Sequence, residues 1–245
     1  MNSSIYTLAS ALIAQEERVA ATAQNLANVT TDGYKTVARS IVEARAPGAI
    51  PFASDPLFGA VNASVRLKPA GVELEQGRLA DTHEPFDVAI EGPGLLAVQT
   101  PAGVAYTRAG HLAEREGFLV TRDEGYQVLG AAGPIRLSAG ELTIATDGTV
   151  SSNGETAGRM RLEVFDSTAL SPLGGALFRA TGKGAAAGSA TRLFQGRAEE
   201  SSVRPLQEVT SLIETQRGFE LYEKALNLTL NEVDRQAVTE LGSVT

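Results

Sequence analysis

Apolar residues recur near the start of the chain at Ile5, Leu8, Leu12, Val19 and Leu26, with Gln15 and Thr22 as polar members of the same row. The spacings alternate between three and four, which lines one face of an α-helix or the seam of a coiled coil. The row predicts a helix to about Ala27, with Ser3 or Ser4 as its N-cap. Thr30-Thr31-Asp32-Gly33 then supplies turn chemistry, because Gly33 can take a positive φ. The same row returns near the other end at Val209, Leu212, Phe219, Leu226, Leu230, Val233 and Ala237, interrupted by Gln216 and Glu223. Pro205 suits the first turn of that second helix, where a missing N–H costs nothing. Gly218 falls in its middle at a cost of about 1 kcal/mol, which close packing would justify.

Between the ends the period drops to two. Phe86-Asp87-Val88-Ala89-Ile90 alternates, and Leu95-Leu96-Ala97-Val98-Gln99 is a short apolar run closed by Thr100-Pro101-Ala102-Gly103. Val104–Arg108 follows at hairpin spacing, and further short strands are expected at 118–121, 126–129, 135–137, 142–144 and 160–164. Glycine and proline sharpen this division. Of the 25 Gly, 23 lie between Gly33 and Gly196, and nine of the ten Pro lie between Pro47 and Pro172. The ends are nearly free of helix breakers and the middle is full of them. The expected fold class is α+β: a discontinuous N- and C-terminal helical (coiled-coil) domain around a central antiparallel β-rich domain. The expected boundaries are 1–32 with 203–245 for the helices, 33–75 with 192–202 for an extended connector, and 76–191 for the β domain.

Charge changes the picture of the helices. Before Asp32 the chain carries only Glu16, Glu17 and Arg18. A solvated surface helix normally alternates charges on its outer face. Both faces of the first helix are therefore expected to meet protein in the working state; burial inside one globular domain is the simpler alternative. One lone pair of helices is marginal in water, so the ends are expected to complete their folding on assembly.

Composition narrows the chemistry. The 245 residues carry a net charge of −8, with no Cys and two His. A net acidic chain lacks the counterion-release term of non-specific nucleic-acid binding, so no nucleic-acid partner is expected. Disulfides, thiolate catalysis and Cys-type metal sites are excluded, and no metal or cofactor is expected. No Sec-type signal peptide and no run of 18 apolar residues is present, so no membrane insertion is expected. Gly182-Lys183-Gly184 lacks the residues of a phosphate-binding loop, and neither a nucleophile-elbow nor a zinc-protease motif occurs. His83 and His111 lie in separate turns and read as surface or structural histidines. Asp81, Glu84, Asp87 and Glu91 cluster in sequence, but carboxylates flanking a strand are commonplace; no catalytic residue is assigned.

One segment is more specific. Ala23-Gln24-Asn25-Leu26-Ala27-Asn28-Val29-Thr30-Thr31-Asp32-Gly33-Tyr34-Lys35 resembles the N-terminal signature of the bacterial flagellar rod and hook proteins and meets every fixed position of it. Gln76-Gly77-Arg78-Leu79, Asp87-Val88-Ala89-Ile90 and Gly92-Pro93-Gly94 resemble a second block of that family. Tyr106-Thr107-Arg108-Ala109-Gly110, Gly117–Thr121 and Gly125–Gly130 resemble a third. The block at 195–203, opening on Gln195-Gly196, matches in part, with Ala198 and Ser202 departing from the pattern; Glu214–Glu220 resembles the helix that follows.

The resemblance implies an axial subunit of the flagellar basal body, with terminal helices in an inner tubular layer and the β domain outside it. It also implies export through the flagellum's own type III apparatus without a cleaved signal. The expected partners are other rod subunits, proximal and distal, together with that export apparatus, and self-association is allowed. Length and the run before Tyr106 resemble the proximal-rod members most, with the distal rod as the alternative. Outside the family, the alternative is a β-rich binding module dimerised by its helices. The expected assembly interface is Ile5, Leu8, Leu12, Val19, Asn25, Leu26, Asn28, Val209, Leu212, Gln216, Phe219, Leu226, Leu230 and Val233. Asn25 and Asn28 would either cap helix carbonyls or bridge neighbouring helices.

Overall fold

The computed structural model describes residues 2–45 and 63–242. Helix α1 runs Asn2–Ala27 and helix α2 runs Pro205–Gly242. The apolar rows account for both, and α2 opens on its proline. Ser3 and Ser4 lie inside α1, so neither is its N-cap. Serine costs under about 0.7 kcal/mol in a helix, too little to stop it there. Between the helices the described elements are strands and one 3-10 turn at Ser167–Ala169, giving an α+β fold.

The chain divides into two compact units. One holds the described parts of Met1–Gln24, Arg39–Pro69 and Leu206–Thr245; the other holds Asn25–Ala38 and Ala70–Pro205. Within the expected connector, Val37–Arg45 and Ala63–Val72 pair as a two-stranded sheet. The segment with Pro47, Pro51 and Pro56 lies outside the described residues. The stretch before α2 is strand as well: Arg192–Gln195 pairs with Val88–Glu91, and Arg197–Glu199 pairs with Leu79–Asp81.

The largest sheet among the described residues has ten strands. Its main path runs Leu170–Gly174, Leu177–Ala180, Gly103–Thr107, Leu95–Thr100, Gln127–Gly130, Phe118–Thr121, Leu112–Arg115, each antiparallel to the next. Leu95–Thr100 explains its own composition. Leu96 and Val98 enter one hydrophobic cluster with Ile90, Leu112 and Leu119, while Leu95 and Ala97 enter another with Tyr106, Phe165 and Phe178. A strand buried on both faces cannot alternate with polar residues, so it reads as a continuous apolar run. Several strands escape sequence reading, among them Leu170–Gly174 and Leu177–Ala180, because Pro172, Gly174 and Gly175 mask their periodicity. The expected strand at 135–137 is reduced to a bridge between Phe118 and Arg136, with Gly133–Pro134 turning back onto Leu129 and Gly130 instead.

The helical unit is packed differently. On α1 the buried residues are small or polar: Ala11, Ala14, Gln15, Ala21, Thr22 and Asn25. Gln15 and Thr22 are the polar members of the expected row, whereas the three alanines lie further around the helix from its leucines. On α2, Thr215 is buried and returns its hydroxyl to the Ser211 carbonyl at 2.6 Å. A Cβ built on Gly218 would come within 3.0 Å of the Gln15 amide nitrogen, so the mid-helix glycine marks a close approach of α1 and α2.

Candidate functional site

The motif residues, scattered along the sequence, converge on one buried carboxylate. Glu199 Oε1 accepts from Lys35 Nζ at 2.6 Å and from the Gly77 amide at 2.8 Å. Its Oε2 accepts from Arg108 Nε at 2.6 Å, and its backbone carbonyl accepts from the Gly33 amide at 2.6 Å. One residue thus joins the signature after α1, the Gln76-Gly77 block, the Tyr106–Arg108 block and the segment leading into α2. Lys35, Arg108 and Glu199 are 1 to 4% exposed at their side chains. Burial pushes the Lys35 ammonium's pKa down, against the opposing pull of Glu199. The remaining donors have partners: Lys35 Nζ reaches the Glu75 carbonyl at 2.6 Å, and Arg108 reaches the carbonyls of Gly94 and Ile90 at 2.5 and 2.8 Å. Charges this deeply buried are tolerated only when fully hydrogen-bonded.

Asn25 closes the same turn. Its Oδ1 accepts from the Tyr34 hydroxyl and the Val37 amide, both at 3.0 Å, and its Nδ2 donates to the Val37 carbonyl at 3.2 Å. The Thr31 hydroxyl bonds Asn28 Oδ1 at 3.2 Å. Two glycines are required by sterics. Gly33 has φ +69°, and a Cβ there would lie 2.3 Å from the Ala109 nitrogen; at Gly110 it would lie 1.7 Å from the Val88 carbonyl oxygen. Gln76 bridges the Ile90 carbonyl and the Gly92 amide, both at 3.2 Å. The Tyr106 hydroxyl donates to Glu163 at 3.0 Å, Gly125 N donates to the Thr121 carbonyl, and Gly196 N donates to the Asp87 carbonyl. The family motif is therefore a set of interior fasteners.

A second polar group lies beside the turn. His111 Nδ1 lies 2.8 Å from Asp87 Oδ1, and its Nε2 lies 2.5 Å from Asp32 Oδ2. Arg122 Nη2 donates to the same Asp87 oxygen at 2.9 Å. Burial alone would lower the imidazole's pKa, but the hydrogen bonds and charges of Asp32 and Asp87 together raise it. Among the described residues no cluster of three or more His, Asp or Glu side chains is arranged to hold a metal ion.

The expected assembly row is only partly covered by the chain itself. Ile5, Leu8, Leu12, Val19, Leu26 and Asn28 are half-buried, and Asn25 is buried. On α2, Leu212, Phe219 and Leu226 are half-buried, while Val209, Gln216 and Leu230 are exposed. The Val233 side chain lies outside the described residues. Sequence reading missed a second apolar stripe on α2: Leu206 is 85% exposed, Ile213 46%, Leu221 67% and Leu228 71%. These four fall within about 80° of helix surface, roughly 130° from the expected row. The signal was present as spacings of seven, eight and seven residues. It also missed Glu199, Lys35 and Arg108 as a unit, for which only the Tyr34-Lys35 and Tyr106-Thr107-Arg108 pairings gave a hint.

Two family models match. One described as flagella basal body rod protein covers residues 5–35, and one described as flagellar hook protein FlgE/F/G D1 domain covers residues 89–152. The chain is 32% identical over 252 residues to the flagellar basal-body rod protein FlgF of Mesorhizobium japonicum, covering 99% of both. It is 32% identical to FlgF of Salmonella typhimurium, over 92% of this chain and 93% of the relative. It is 30% identical to the flagellar basal-body rod protein FlgG of Borreliella burgdorferi, over 94% of this chain and 96% of the relative.

Proposed function

From the premise that the chain belongs to the flagellar basal-body rod protein family, we propose that it is a structural subunit of the rod that polymerises through its terminal helices. The chemistry asked of it is cohesion, not catalysis. A rod that carries torque must resist shear between subunits, and interlocked helices do this by burying apolar stripes against several neighbours. Such a tube needs a heterologous interface that does not close on itself. The observation that carries this reading is the exposure of Leu206, Ile213, Leu221 and Leu228 on a helix that also carries a half-covered row. A helix with two apolar faces needs partners on two sides.

In this reading, 1–32 with 203–245 form the inner axial layer and pack there as coiled coils. Residues 33–75 with 192–202 lead outward, and 76–191 sit outside. The match to FlgF relatives over nearly the whole chain supports a place in the proximal rod, next to other rod subunits of the basal body. Delivery in this reading is through the flagellar type III apparatus. The decisive experiment replaces both Leu221 and Leu228 by Asp in cells. Loss of swimming, with basal bodies lacking a complete rod in electron micrographs, is the expected result. Normal rods and normal swimming would overturn it. Deleting residues 1–30 separates this reading from a binding module: a rod subunit loses export and polymerisation, whereas a binding module keeps its ligand.

A further inference from the structure

His111 has more to do than fill space. An ionised carboxylate only accepts hydrogen bonds, so an imidazole that serves two of them must carry hydrogen on both ring nitrogens. The 2.8 Å to Asp87 is the distance of a charge-assisted bond, and the 2.5 Å to Asp32 is closer still. The two carboxylates come from different places in the fold. Asp32 lies in the turn that follows α1, whereas Asp87 precedes the strand Val88–Glu91 and is itself buried. Backbone bonds hold the histidine between them: Asp87 and His111 form a bridge, and the His111 carbonyl accepts from the Arg122 amide at 2.9 Å. We propose that His111 is a proton-operated latch, fastening the motif turn at Thr31–Gly33 to the backbone segments at Asp87 and His111 within the same unit while it is an imidazolium, and releasing Asp32 when it loses its proton.

The surrounding charges favour the protonated form. Asp32, Asp123 and Glu124 line the same cleft of about 290 Å³ as His111, and Arg122 is there too. The Arg122 guanidinium is engaged by Asp87, so that carboxylate is shared between two cations. When the imidazole is neutral, one ring nitrogen becomes an acceptor facing a carboxylate, and the two repel. The exposed partner is the one set free: the Asp32 side chain is 35% exposed, against 2% for Asp87. The Gly33 amide bond to the Glu199 carbonyl keeps the turn in place at one point, so the latch governs its looseness and not its fold.

The sign follows from linkage. A raised imidazole pKa contributes stability in full below the ordinary value of about 6.5, and loses it as pH rises through the folded value. The test uses the full chain with His83→Asn, which leaves a single imidazole and keeps a residue tolerant of the positive φ at that site. The His111 ring signal is titrated by NMR between pH 5.5 and 9, on the order of the imidazole range. The expected midpoint lies above the ordinary value and falls in Asp32→Asn. A midpoint at or below the ordinary value, or one indifferent to Asp32→Asn, would overturn the latch. Thermal melts of His111→Gln give a second reading. Its deficit against the parent should be widest at the acid end and close at the alkaline end. A deficit equal at all pH values would mean that the ring merely packs.

Discussion

The two units of this chain solve the problem of apolar surface in opposite ways. In the β unit the core side chains are gone from solvent: Val98, Leu112, Leu119 and Phe178 are all at 0% exposure. In the helical unit the most buried positions of α1 are alanines and polar residues, while leucines on α2 stand up to 85% exposed. The first arrangement completes a hydrophobic core inside one chain. The second leaves apolar area to be buried by something else, at about 25 cal/mol per Å². One molecule thus carries a finished module and an unfinished one. What makes a protein a building block is that its unfinished half is helical and two-faced, while its finished half holds shape without help.

Substitutions separate the two halves, and the largest effects belong to the β unit. Glu199→Ala strands Lys35 and Arg108 as uncompensated buried cations, and should cost about 3–5 kcal/mol in denaturant unfolding of the full chain. Phe178→Ala opens a cavity in the second core cluster and should cost a similar amount, about 3–5 kcal/mol. Asn25→Ala removes partners from Tyr34 and from both backbone groups of Val37; about 2–3 kcal/mol is expected by the same measurement. Smallest of all for the isolated chain is Leu221→Asp, within about 0.5 kcal/mol, since the residue is 67% exposed. If Leu221→Asp weakened the lone chain as much as Phe178→Ala does, α2 would already be packed there and the contrast between the units would fail.

Both helices were legible because a period of three and four survives in any surroundings. So was the doubly buried strand at Leu95–Thr100, whose apolar run is its own signal. The strands at 170–180 were not legible, because Pro172, Gly174 and Gly175 hide a period of two that only pairing with Gly103–Thr107 reveals. Of the motif glycines, Gly33 could be read as a turn from Asp32-Gly33. Gly110 could not, since the obstacle to its Cβ is the Val88 carbonyl, 22 residues away in sequence. The row on α2 was read from its leucines, yet the second stripe was passed over because it shares the helix with the first. Only accessibility distinguishes a stripe that is half-covered from one that is bare.

Periodicity, composition and short-range order are properties of neighbours along the chain, and they suffice for the two helices, the doubly buried strand at Leu95–Thr100, the absence of thiol chemistry and the signature at 23–35. Tertiary structure alone decided that Lys35, Gly77, Arg108 and Glu199 meet at one buried carboxylate, and that Asp32 and Asp87 share one imidazole. Those meetings span up to 164 residues between partners. Charges attract according to distance in space, and chain order does not encode that distance until the strands have paired.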